Sequence, residues 1–505
     1  MKITLFLPIL LVFAANLQAQ DTLTLTFQEA VGIALRESYT IKSHDESKQA
    51  SLYDYQYYKA QFKPRLDLNL FAPSWDEGLQ GVQQVNDLPV YNSYSSMQFG
   101  GDLRFTYVLP TGGNIALSGL MYHENYQTTL AQSNYETLKR KQAYSKFGLL
   151  FNQPVFTKNT LRENLKAAEY RYARTEAYYT RAQMDIVYQV TTAFYSLYQA
   201  VYEKQINEER LRNSEEALRI ARLKLETGDI PEGDVLITEI TVAQNNARLS
   251  ESMGYYETEK DNFKLLIGLD LSSEIQIIAA TDFDPVVIDL PLAIEQALEN
   301  RMELKESEYD IKLREIEVDR AKREREFKGN ISAYYDLTGV GMNGNNVGGR
   351  FNSSFDDITV RPPNRGITFT LSYPIYDWKR GRNLVEREKI YLEAEELRLE
   401  NLQNTIVKQI REVVRTVYEA ENRFRINRQN KENAARSYGI NQLRYKNGDI
   451  TGQELSVEQE RLSQVQLDYI KSYITYQLAL ADLKRKTMWD FENNRSYKVI
   501  ETATN

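Results

Sequence analysis

Leu223 to Leu236 reads LKLETGDIPEGDVL, and Leu443 to Ser456 reads LRYKNGDITGQELS. Gly228, Asp229 and Ile230 fall on Gly448, Asp449 and Ile450, 220 residues further on. The same offset carries Gln153-Pro154-Val155-Phe156 onto Tyr373-Pro374-Ile375-Tyr376, Gln189 onto Gln409, Tyr198 onto Tyr418, Ala200 onto Ala420 and Lys264 onto Lys484. A register held without a gap from Pro154 to Lys264 is a duplication, and a repeat decides the fold before any single element does. Upstream, LTFQEAVGIALRES (Leu25 to Ser38) matches IDLPLAIEQALENR (Ile288 to Arg301) at an offset of 263 residues. The first half therefore carries an insertion of about 43 residues between its opening helix and Pro154.

Each half reads helix, strands, long helix, turn, helix. In the first long helix Val187, Val190, Phe194, Leu197 and Val201 are spaced 3, 4, 3 and 4, and Leu211, Leu218 and Leu225 continue a seven-residue period. Val407, Ile410, Val414 and Val417 keep that spacing in the second, which is a coiled-coil seam. From Lys158 to Glu226 there is no proline or glycine. A continuous helix over that stretch spans roughly 100 Å at about 1.5 Å per residue, too long for the core of a compact globule. Between the helical blocks the period changes to two. GITFTLSY sets Ile367, Phe369, Leu371 and Tyr373 against Thr368, Thr370 and Ser372, and KFGLLFNQ puts Phe147, Leu149 and Phe151 on one face. DLRFTYVL and RLDLNL alternate in the same way. Such alternation fits a lipid-embedded barrel with a polar interior, and equally a half-buried soluble sheet.

The chain begins MKITLFLPILLVFAANLQAQ, a lysine, an apolar run and a small-residue cleavage site, which reads as a Sec signal peptide over residues 1–19. No later run approaches the roughly 18 apolar residues of a membrane helix. With 0 cysteines, disulfides, thiolate metal sites and a lipid-carrying cysteine are excluded. A net charge of -8 argues against nucleic acid as a partner. His44 and His123 lie in unrelated contexts, and no residue constellation suggests an enzyme, a metal site or a cofactor. Thr338 to Arg350, TGVGMNGNNVGGR, contains G-x-G-x-x-G at Gly339, Gly341 and Gly344. A dinucleotide site requires a helix opening at those glycines; the residues that follow read instead as a flexible loop joining two strands of a hairpin.

Taken together, the paired L-x-x-A-x-x-x-A-L blocks, the strand-ending FNQPVF and LSYPIYDWKRG, and the two glycine-containing helix tips make the chain resemble the TolC-like outer-membrane efflux protein family. The resemblance runs from about Leu25 to Trp489. It implies a mixed α and β membrane protein, a homotrimer whose shared outer-membrane β-barrel of about 12 strands is continued by a coiled-coil α-helical barrel in the periplasm. Residues 20–285 and 286–490 are then the two structural repeats and 491–505 a tail; the inserted LRFTYVLPTGGNIALSGLMY, two alternating runs flanking Pro110 to Gly113, reads as an extra hairpin near 100–124, a departure from the family plan that either widens the barrel or packs against it. As implied partners stand a periplasmic adaptor, an inner-membrane transporter and outer-membrane lipid, with small molecules, drugs or metals as passive cargo. The alternatives are the duct of type I protein secretion and an exported coiled-coil scaffold without a pore. By the resemblance Asp234 and Glu454 lie at the periplasmic entrance; Gly228, Asp229 and Ile230 with Gly448, Asp449 and Ile450 are adaptor-docking turns. Helix capping and helix reversal are the structural alternatives for these residues, and Pro154 and Pro374 mark strand-to-helix passages.

Overall fold

Thr26 accepts a hydrogen bond from the Glu29 amide at 3.3 Å while its own amide donates to the Glu29 carboxylate at 2.8 Å. This reciprocal cap separates strand β1 (Leu23–Thr26) from helix α1 (Phe27–Glu37). The computed structural model describes residues 23–84, 87–130, 135–278 and 285–497; the expected leader lies outside them, as does the end of the 491–505 tail. After α1 come α2 (Tyr39–Ala60), the strands β2 (Arg65–Gln84), β3 (Asp87–Val108), β4 (Asn114–Leu130) and β5 (Glu136–Val155), then α3 (Thr160–Glu226), α4 (Glu232–Ile267) and β6 (Ile275–Ile278). The second half runs α5 (Leu290–Asn300), α6 (Met302–Arg323), β7 (Lys328–Gly341), α7 (Val347–Val360), β8 (Asn364–Ser372), α8 (Arg380–Asn447) and α9 (Gly452–Thr487), with the short β9 (Trp489–Asp490) and β10 (Arg495–Ser496) last. Helix lengths recur: α1 and α5 have 11 residues, α2 and α6 have 22, α4 and α9 have 36, and α3 and α8 have 67 and 68.

The chain divides into two compact units. One holds residues up to Ser47, Ala177–Lys305 and the chain from Glu400 onward. Here β1 pairs in parallel with β6. Leu25, Ala30 and Ala34 pack with Val190, Phe194, Leu197, Phe263 and Ile267; the Phe194 ring meets Phe27 and Phe263 edge-on, with centroids 5.7 and 6.1 Å away. Val187, Val190, Phe194 and Leu197 are buried as the seam predicts, and so are Ile410, Val414 and Val417. Further along α3 the seam departs from the seven-residue extrapolation. Ile206, Arg210, Ser214 and Ala221 are buried, whereas Leu211 and Leu218 are half-buried and Leu225 is exposed. The cause is partly polar packing: Gln459 on α9 donates to the Arg210 carbonyl at 2.8 Å, and the Arg210 guanidinium pairs with Glu460.

The other unit, Lys48–Glu176 and Glu306–Leu399, is built on a 6-stranded antiparallel sheet ordered β2-β3-β4-β5-β7-β8. The inserted segment is the β3–β4 hairpin, turned at Leu109 to Gly113, where Gly112 takes φ +92. Its strands lie inside the sheet between β2 and β5, so of the two placements left open by the sequence it does not pack against the sheet from outside. Among the described residues the sheet is open, with β2 and β8 as edges.

The glycine-rich stretch corrects the sequence reading. Gly339 and Gly341 are in β7, and a helix, α7, follows them where a loop is expected. Asn346 caps α7 by accepting from the Gly349 amide at 2.7 Å. The helix then lies back on the strand so closely that a Cβ on Gly339 would stand 2.0 Å from the Ser354 carbonyl oxygen and one on Gly341 1.9 Å from that of Arg350. Those glycines make room for a helix on a strand. They do not open the helix, so the dinucleotide reading fails here too.

Candidate functional site

The helix tips are built by one set of backbone bonds used twice. At the end of α3 the Gly228 amide donates to the Leu225 carbonyl and the Asp229 amide to that of Lys224; at the end of α8, Gly448 donates to Tyr445 and Asp449 to Arg444. This 6→1 and 5→2 pattern needs a left-handed residue just past the helix, supplied by Gly228 at φ +79 and Gly448 at φ +88. Asp229 and Asp449 are exposed beyond it, while Ile230 and Ile450 are half-buried. Ile450, Ala217 and Ile220 pack against the buried cluster Tyr438, Tyr445, Leu455 and Leu462, which joins the two hairpins. Lys224 donates to the Tyr445 carbonyl at 2.5 Å and sits 4.7 Å from the Tyr445 ring centre; the Tyr445 hydroxyl donates to the Ala217 carbonyl at 3.1 Å.

The two acidic residues are not equivalent. Glu454 is exposed and tied into a capping box: its carboxylate accepts from the Thr451 amide at 2.8 Å, and its amide donates to the Thr451 hydroxyl at 3.2 Å. The Thr451 backbone and side-chain bonds hold its pKa below the ordinary glutamate value. Asp234 has the same place in the first turn of α4, but there the cap residue is Pro231, which makes no side-chain cap bond. Its charge is felt instead by Tyr445, whose pKa is raised by burial and then by Asp234. The 220-residue offset presents the two as a matched pair, although Thr451-x-x-Glu454 spells a capping box and Pro231-x-x-Asp234 does not.

Residues unmarked in the sequence hold the hairpins together above the tips. Arg210 on α3 is flanked by Glu460, which also accepts from Arg248 on α4 at 3.1 Å. Burial, then the neighbouring Arg248 charge, lowers the Arg210 pKa to about 10. Nothing in a heptad pattern singles out an arginine at a buried position.

The sheet has two chemically distinct faces. Across neighbouring strands one row runs Leu66, Phe105, Leu117, Leu149 and Tyr335, and the next row on that face Leu68, Leu103, Gly119, Phe147 and Leu337. The row between them, on the opposite face, runs Asp67, Arg104, Ser118, Gly148 and Asp336. Most of the large apolar residues are exposed in the single chain. Where the sheet meets the helices, Phe327 stacks on Tyr373 at 4.3 Å and Tyr376 meets Trp378 at 5.0 Å; Phe156, Ile375 and Trp378 are exposed. An apolar band edged by aromatic rings suits a lipid bilayer and its interface. Pro154 is within the end of β5, paired with β7 only, where its missing amide costs nothing on the β4 side; Pro374 follows β8. No helix among the described residues is long and apolar enough to cross a membrane, and those residues hold no group of three His, Asp or Glu that could bind a metal.

A family model described as outer membrane efflux protein matches residues 119–269 and 293–487. No curated protein matches the chain in sequence. Among the solved structures similar in fold are three outer-membrane or transmembrane channels. That of CusC, reported for its folding and transmembrane channel formation, has a TM-score of 0.65 at 12% identity and covers 91% of each chain. The Campylobacter jejuni CmeC outer membrane channel has a TM-score of 0.65 at 13% identity, covering 91% of this chain and 85% of that one. The open state of the Neisseria gonorrhoeae MtrE outer membrane channel has a TM-score of 0.63 at 13% identity, covering 94% and 91%. At these identities the likeness is one of fold.

Proposed function

Because this chain belongs to the outer membrane efflux protein family, we propose that it is the outer-membrane exit duct of a tripartite export system. Three copies join their sheets into one barrel in the lipid, and their long helix hairpins form a periplasmic tunnel. Cargo, of the class of small molecules, drugs or metals, arrives from an inner-membrane transporter through a periplasmic adaptor, and the duct conducts it passively. A Sec leader over residues 1–19 exports the chain. In this reading the turns at Gly228–Ile230 and Gly448–Ile450 meet the adaptor, and Asp234 and Glu454 place rings of carboxylate at the entrance, favouring cations.

The observation that carries the reading is the two-faced sheet. A scaffold without a pore has no use for an exposed row of Leu66, Phe105, Leu117 and Leu149 backed by Asp67, Arg104, Ser118 and Asp336. In a bilayer the first row is solvated by lipid and the second by water. CusC, CmeC and MtrE, which are similar in fold, are described as transmembrane or outer membrane channels, and this supports the duct reading. Membrane fractionation with mass determination of the detergent-purified assembly tests it. The expected result is a carbonate-resistant protein in the outer-membrane fraction, assembled as three copies; a periplasmic monomer would overturn the proposal.

A further inference from the structure

We infer that edge strands β2 and β8 are the seam between copies and that the β3–β4 hairpin is part of the barrel wall, so that three copies close about 18 strands. The inference rests on the duct reading above and goes beyond it in strand number and in the identity of the seam.

The hairpin is locked into the sheet on both sides. β3 pairs with β2 over most of its length, and β4 pairs with β5 without interruption from Asn114↔Asn152 to Leu130↔Glu136. Side chains rivet the same strands on the polar face. The buried Glu124 carboxylate of β4 accepts from Ser96 (2.7 Å) and Gln98 (2.8 Å) of β3 and from Gln142 (2.6 Å) of β5. Lys146 of β5 then reaches Asp336 of β7 at 2.8 Å. Each hairpin strand also keeps the phase of its neighbours, apolar to one side and polar to the other. A hairpin packed on the outside of a narrower wall would need neither the shared phase nor the rivet.

The open edges require a partner. In hydrocarbon an unpaired row of backbone amides and carbonyls costs several kcal/mol per group, so β2 and β8 must each be paired. Pairing them within one copy would close six strands, fewer than the roughly 8 whose interior side chains already fill, and the inward face here carries Tyr122 and Tyr144, stacked at 4.9 Å, as well as Arg104 and Lys146. Pairing β8 of one copy with β2 of the next avoids that crowding. It also joins two exposed apolar strips: Leu66, Leu68 and Leu70 are 64%, 61% and 75% exposed, and Ile367, Phe369 and Leu371 are 81%, 56% and 52% exposed. The 9 residues of β8 match the roughly 9–11 that cross a bilayer. With strands about 4.8 Å apart and tilted about 40°, about 18 strands enclose a barrel roughly 36 Å across between backbones, against roughly 24 Å for about 12.

Cryo-electron microscopy of the full-length protein in lipid nanodiscs tests the inference by counting strands and copies. The expected image is three copies, 18 strands, and β8 of each copy beside β2 of the next. Three copies around a 12-stranded wall, with β3 and β4 outside it, would overturn the inference and leave the duct standing. A single copy closed on itself, or no barrel in any assembly, would overturn both. Because the chain has 0 cysteines, Leu68→Cys combined in turn with Ile367→Cys, Phe369→Cys and Leu371→Cys gives a second readout. A disulfide ladder ending at the trimer is expected in at least one combination; folded trimers without any cross-link would contradict the seam.

Discussion

At Gly448 the backbone holds φ +88, a conformation in which a Cβ costs about 1–2 kcal/mol. Gly448→Ala should therefore lower the melting temperature of the assembled protein, with Gly448→Asn less damaging because asparagine tolerates the left-handed region. A Cβ placed on Gly228 would meet no atom within 4 Å, so Gly228→Ala tests the φ penalty alone. Gly339 is a different case: its problem is the Ser354 carbonyl, 2.0 Å from where a Cβ would stand. Gly339→Ala should lift α7 from β7 and speed proteolysis within residues 342–363 while leaving the helix tips intact. Glu454 supplies a pH test. Its folded pKa lies below the ordinary value of 4.5, chiefly through the Thr451 backbone bond, so its contribution is complete above that value and fades as pH falls through the folded pKa. Thermal melts from about pH 6 down to about pH 3 should show an acid-dependent component that Glu454→Gln removes; an unchanged pH profile in that variant would count against the capping box.

Among the elements, the sheet makes a sharp contrast between adjacent residues. Phe369→Lys places a charge on the apolar face, at a cost of about 2–4 kcal/mol near the bilayer midplane, whereas Thr368→Lys faces water. The first should reduce outer-membrane assembly, as read by fractionation, and the second should leave it near the wild-type amount. In the hairpins, Glu460→Ala removes the partner of the 9%-exposed Arg210; because the Glu460 side chain is itself half exposed and screened by water, the loss should be about 1–2 kcal/mol, seen as earlier loss of helix on heating. Much of this was legible in the sequence. The repeat could be read because residue types such as Gly228 and Gly448 recur at one offset, and the sheet because alternation is a purely local pattern. Other features depend on partners that a sequence does not name. Helix α7 contains Gly348 and Gly349, poor helix formers, and stands because Asn346 caps it and β7 lacks two side chains beneath it. The distal seam of α3 is polar at Arg210 and Ser214, so the leucine period runs along its margin, with Leu211 and Leu218 half-buried and Leu225 exposed. The place of β3 and β4 in the sheet is a matter of hydrogen-bond neighbours, on which the alternation of Leu103, Phe105 and Tyr107 is silent.

For the whole molecule, the proposed duct requires that copies of this chain enclose a water-filled path through the outer membrane. Exposed apolar side chains on the single chain, including Leu223, Leu225, Leu236, Ile237 and Ile240 near the tips, are consistent with assembly, as are the open sheet edges. Conduction is the property that separates a duct from any other assembly of the same elements. The most direct measurement is single-channel recording of the full-length protein in planar lipid bilayers, wild type beside Asp234→Ala/Glu454→Ala. Discrete conductance steps are expected, cation-preferring in the wild type and larger or less cation-selective in the double variant. Folded, trimeric protein that inserts into the bilayer and passes no current, in either form, would contradict it.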